Sequence, residues 1–95
     1  MDWRRQARKA LREYPKAKKR GDQAGMAAVA AAMKMQMQYY NAQARLKMVE
    51  LVYFRQTHTL AGAAAECGYS IETVRKWNLE IMTAVYVGLL HGEGQ

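Results

Sequence analysis

The chain has 95 residues, a formal net charge of +7 and 51% hydrophobic residues. That apolar share argues against a wholly disordered chain, and the length suits one domain, or one domain with an arm, whose modest core leans on self-association. One cysteine, Cys67, excludes an internal disulfide framework and fits a reducing cytoplasm, while the apolar stretches near 26–33 and 81–90 are too short to span a bilayer.

Alanine and methionine make up much of the apolar content, there is one proline, and alternating β-branched runs are nearly absent, so the expected class is all-α: a small helical domain with a long middle helix and a C-terminal helix-turn-helix. The charged N-terminus carries no apolar run of the secretory type.

The basic excess is concentrated at the start. Residues 1–20 hold nine Lys and Arg against Asp2 and Glu13. Such a segment attracts polyanions, nucleic acid first and an anionic membrane surface second; the plainer alternative is a solvated face. Asp2 can cap a helix over 3–14, in which Trp3, Ala7, Ala10, Leu11 and Tyr14 share one face. Pro15 disfavours helical angles at Tyr14, so this helix is expected to end or kink there, with a short turn through Lys19 and a stop at the Gly21-Asp22 pair. Residues 1–22 thus read as a basic helical arm, with Arg4, Arg5, Arg8, Lys9, Arg12, Lys18, Lys19 and Arg20 as candidate contacts to a DNA backbone.

The rest, 23–95, reads as the helical domain. A long helix is expected over 23–40. Met26, Ala30, Met33, Met37, Tyr40 and Ala44 recur at heptad-like spacing, which reads either as a stripe packing on the chain's own helices or as the seam of a homodimer. Asn41 can break it. A third helix over 42–56 includes Val49–Phe54, apolar nearly all round and expected to be the central core helix; the competing strand is rejected because its flanks are helical and no partner strand exists. Thr57 to Thr59 make a turn, and Thr59 suits an N-cap.

Residues 60–79 carry the function. A helix-turn-helix needs a small residue where its helices approach (Ala64), a residue tolerant of positive φ at the corner (Gly68), and inward apolar side chains on both sides (Ala63, Cys67, Tyr69, Val74, Trp77). It also needs a cap for the second helix (Ser70), and Glu72 in the first turn suits the helix dipole. A plain αα-hairpin has the same needs. If the second helix reads DNA, it offers the major groove Ile71, Glu72, Thr73, Arg75, Lys76 and Leu79: Arg75 and Lys76 for guanine edges or phosphates, Thr73 for a base or phosphate, Glu72 for cytosine N4. Ser70 and the helix start suit a phosphate oxygen, and Asn78 stands at the boundary. Ile81, Met82, Val85, Tyr86 and Leu89 continue this helix and should pack on 49–54 or on a second subunit. Gly92 and Gly94 mark an expected frayed end.

The stretch Arg45-Leu46-Lys47-Met48-Val49-Glu50-Leu51-Val52-Tyr53-Phe54, followed by Thr59-Leu60-Ala61-Gly62-Ala63-Ala64, Gly68-Tyr69-Ser70 and Thr73-Val74-Arg75-Lys76-Trp77, resembles phage late-gene transcriptional regulators of the RinA/ArpU kind. Their helix-turn-helix is similar to region four of sigma factors. Arg12-Glu13-Tyr14-Pro15-Lys16 resembles their N-terminal part. The resemblance implies a phage-encoded DNA-binding activator of packaging and structural genes, acting in the bacterial host cytoplasm. It also implies contacts to double-stranded DNA at Thr73, Arg75 and Lys76, and RNA polymerase as a further partner. The chain departs from that family in being short, with an Ala/Met-rich middle helix and few charges after Trp77.

Two other classes fit the pattern. A phage small terminase subunit pairs a helix-turn-helix with oligomerising helices, and a protein-interaction module would hold a partner helix on the Met seam. Catalysis is not expected. His58 and His91 are distant and have no Cys or carboxylate at ligand spacing, Cys67 fills an apolar slot, and no Gly-rich phosphate loop occurs. No metal or cofactor is expected.

Overall fold

The computed structural model describes residues 2–21 and 23–93, leaving aside the side chains of Lys18, Arg20, Gly92 and Glu93. Asp22 and Gly94, expected at the end of the arm and in a frayed tail, lie outside the described residues. The fold is all-helical.

Helix α1 spans Trp3–Arg20, opened by Asp2, whose Oδ1 accepts from the Arg4 amide at 3.0 Å. It does not end at Pro15 but runs through it, closing at Gly21 (φ 77°), whose N–H donates to the Ala17 carbonyl. The local cost of an interior proline is met by tertiary burial on both sides of it. Ala7, Leu11 and Ala17 are buried, and Tyr14 stacks on Phe54 at 5.2 Å. The segment expected as an arm is therefore built into the core.

Helix α2, Gln23–Gln36, is shorter than the expected 23–40. Beyond Gln36 the amides of Met37, Gln38 and Tyr39 bond three residues back, tightening the chain into a turn. Its buried face is Ala28, Val29, Ala32 and Gln36, not the Met26/Ala30/Met33/Met37 series. Of that series Met33 leans on the core, Ala30 faces solvent, and Met37 is largely exposed beyond the helix end, so the series is not the stripe that packs α2 on the chain's own helices. Closeness of approach selects the face: a Cβ on Gly88 of the last helix would lie 3.0 Å from the Ala28 Cα.

Helix α3, Ala42–Val49, passes without a break into a π-helical turn, Glu50–Phe54, closed by the Arg55 amide on the Glu50 carbonyl at 2.7 Å. The wider turn accompanies burial of Met48, Val49, Leu51 and Tyr53 within six residues. This is the expected apolar core segment, helical as anticipated. Gln56 takes a left-handed φ of 57°, and the Thr57 and His58 amides return to the Leu51 carbonyl.

Helix α4, Leu60–Cys67, is capped by Thr59 Oγ1, which accepts from the Gly62 amide at 3.1 Å. It ends at Gly68 (φ 76°), with Tyr69 N–H on the Ala64 carbonyl and Gly68 N–H on that of Ala65, the Schellman pattern. Helix α5, Ile71–Glu93, starts at once. It is the spine of the molecule: α2 packs along it, α1 crosses both, and α3 and α4 pack against it too. Val74, Trp77, Ile81, Met82 and Val85 make its buried stripe.

Candidate nucleic-acid interface

The corner at Gly68 decides which side of α5 is open. Val74 and Trp77 turn inward, and Trp77 meets Tyr69 edge-on at 4.7 Å. One turn of helix away, Glu72, Arg75, Lys76 and Leu79 face solvent. Leu79, an apolar residue, is 43% exposed. Among the described residues neither Arg75 nor Lys76 enters an ion pair.

Two candidates differ from expectation. Ser70 Oγ accepts the Thr73 amide at 3.2 Å, and the two hydroxyls lie 2.9 Å apart. Thr73 is half-buried with its hydroxyl turned toward the cap, while Ser70 stays exposed beside it. Asn78 is no boundary contact. It is buried, accepts a hydrogen bond from the Tyr53 hydroxyl, and sits by Met82 Sδ. Burial raises the Tyr53 phenol above its ordinary range, and the Arg8 and Arg12 guanidiniums and the Asn78 bond offset part of that.

Those two arginines belong to the second basic surface. Arg5, Arg8, Lys9 and Arg12 of α1, with Glu13, border a shallow hollow of about 570 Å³. Lys16 and Lys19 continue the line in the open, and Arg4 turns aside over the Trp3 ring at 5.5 Å. The side chains of Lys18 and Arg20 lie outside the described residues.

Sequence reasoning missed Arg45. The residue is only 6% exposed. Nε donates to Asn41 Oδ1, and Nη1 to both Gln36 Oε1 and Glu80 Oε1, each at 2.9 Å. It lies 3.8 Å from the Tyr39 ring centre and 5.4 Å from that of Trp77. The Asn41–Arg45 spacing was a local signal; Glu80, 35 positions on, was not. Arg45 holds α5 from behind, at the residues that follow its exposed face.

Comparison with protein-family models, curated proteins and solved structures finds no match. Cys67 Sγ donates to the Ala44 carbonyl at 3.5 Å, and burial pushes its thiol up, away from reactive thiolate. His58 Nε2 stands 3.7 Å from Glu66, and His91 borders a groove between α2 and α5. No group of three or more His, Cys, Asp or Glu side chains stands together among the described residues, and no helix there is long and apolar enough to cross a membrane.

Proposed function

We propose that the chain binds double-stranded DNA, with α4, the Gly68 corner and the start of α5 acting as a helix-turn-helix that lays α5 in the major groove. One observation carries this reading: the corner turns Val74 and Trp77 into the core and leaves Glu72, Arg75, Lys76 and Leu79 outward and exposed, the three charged ones without an ion pair among the described residues. A groove about 12 Å wide admits such a helix. Arg75 has the forked donors that suit guanine O6 and N7, Glu72 can accept from cytosine N4, and Leu79 offers an apolar surface to a thymine methyl. Ser70 and the free amides of the helix start suit a phosphate. With the resemblance to phage late-gene regulators, this makes the chain a transcriptional regulator of the host cytoplasm, one that binds and does not catalyse. Activation would require RNA polymerase as a second partner.

Selection of binding sites from random duplexes tests it. A preferred sequence is expected, and Arg75→Ala should relax that preference at one position at a cost of about 1–3 kcal/mol. Failure of any sequence to enrich would end the specific-regulator reading.

A second reading is favoured by one observation. The groove between α2 and α5, lined by Ala24, Ala27, Ala31, Met35 and Val87 among others, holds no Asp, Glu, Lys or Arg among the described residues. An uncovered apolar face suits the packaging-subunit alternative, in which many copies join. Solution mass separates the two: a ring of many copies supports packaging, a monomer or dimer supports the regulator.

A further inference from the structure

Helix α1 carries a line of cations that no ion pair among the described residues neutralises. Arg5, Lys9, Arg12, Lys16 and Lys19 follow one another at three- and four-residue steps, and Arg8 lies three residues from Arg5 and four from Arg12, so the six share one side of the helix. At about 1.5 Å per residue the line is about 21 Å long. Glu13 is the sole acidic residue of α1, and among the described residues no Lys or Arg of this helix enters an ion pair.

The opposite side of α1 decides what such a line can meet. A basic helix that lies on a membrane needs its apolar face free for the bilayer. Here Ala7, Leu11 and Ala17 are spent in the core, and Trp3 rests against Tyr86 at 5.8 Å. Single-stranded nucleic acid needs open aromatic rings beside the charges. The two aromatic residues of α1, Trp3 and Tyr14, lie on its other face and already have ring partners within the chain. A compact anion would touch only one or two cations of a line this long. A regular row of phosphates on a stiff duplex matches its length, its straightness and its lack of stacking surface.

The line is also fixed relative to α5. Trp3 of α1 rests against Tyr86 of α5, and Tyr14 stacks on Phe54, whose neighbour Tyr53 donates its hydroxyl to Asn78, one turn beyond Arg75. We infer that α1 is a preformed ridge that grips the sugar-phosphate backbone of duplex DNA beside the groove entered by α5, supplying affinity without sequence preference. This rests on the duplex-binding reading of α5 and adds to it a second, rigid contact surface.

The test uses the full chain and measures duplex affinity against salt. Each phosphate contact adds about 0.9 to the slope of log K on log salt. The exposed triple variant Arg5→Gln/Lys9→Gln/Arg12→Gln, with its helicity and melting checked, should lower that slope by about 2–3 and weaken every duplex equally. An unchanged slope would overturn the ridge, and if the preferred sequence survives, the α5 reading stands without it. A lowered slope in a chain that enriches no sequence keeps the ridge and removes the α5 reading. Vesicles rich in anionic lipid, bound as tightly as duplex, would overturn the choice of ligand.

Discussion

Single side chains carry unusual weight in a domain this small. Trp77 is buried, edge-on to Tyr69 and close behind Arg45, so Trp77→Ala should cost about 3–5 kcal/mol in chemical denaturation. A variant that melts like the parent would mean that the other face of α5 holds the core. Tyr53 ties stability to alkaline pH. Its folded-state pKa is raised, chiefly by burial. In the unfolded chain the phenol ionises near its ordinary value of about 10. The stabilisation is therefore complete below about pH 10, and it is lost as pH rises from there through the folded value. Denaturation midpoints should stay flat through neutrality and fall above about pH 10. Tyr53→Phe should remove Tyr53's share of that alkaline fall while costing about 1–3 kcal/mol at neutral pH, because the Asn78 oxygen is left without its donor.

At the scale of elements, the closest packing in the molecule is the crossing of α2 and α5. A Cβ at Gly88 would meet backbone as well as side chain of Ala28, at 3.0 and 3.1 Å. Gly88→Val should thus prise the two helices apart and cost about 1–3 kcal/mol by thermal melting. The same crossing explains what could not be read from the sequence. In α2 nine of the fourteen positions are alanine or methionine, so little hydropathy contrast marks an inner face; the glycine that admits α2 lies some sixty residues away. Pro15 misled for a related reason, since a local rule about helix ends was outweighed by Leu11 and Ala17 packing on either side of it. By contrast, the caps at Asp2, Thr59 and Ser70 and the left-handed Gly68 were legible, because each depends on neighbours within three or four positions. The candidate site divides the same way. The outward placement of Glu72, Arg75, Lys76 and Leu79 follows from helical periodicity around Val74 and Trp77. The burial of Asn78 against Tyr53 and the pairing of Arg45 with Glu80 depend on what the rest of the fold brings near.

For the whole molecule, charge is the dominant asymmetry. The chain is +7, and the ridge on α1 accounts for six of its cations on one helix face. Like charges held a few ångströms apart oppose the compact state, and at physiological ionic strength the screening length is about 8 Å. Raising salt from about 0.02 to 0.2 M should therefore raise the melting temperature, the reverse of what a fold held by surface ion pairs would do. A melting temperature that falls over this range would show that repulsion along α1 is not a net burden on the fold.

The guanidinium of Arg45 bears on how the domain comes apart. One side chain from α3 is bonded to the last residue of α2, to the turn that follows and to the middle of α5. Fraying of any one of these strips hydrogen bonds from a largely dehydrated cation, so they open as a unit. Amide protons near Gln36, Arg45 and Glu80 should accordingly share one protection factor in hydrogen exchange, with the outer turns of α1 and α5 exchanging sooner.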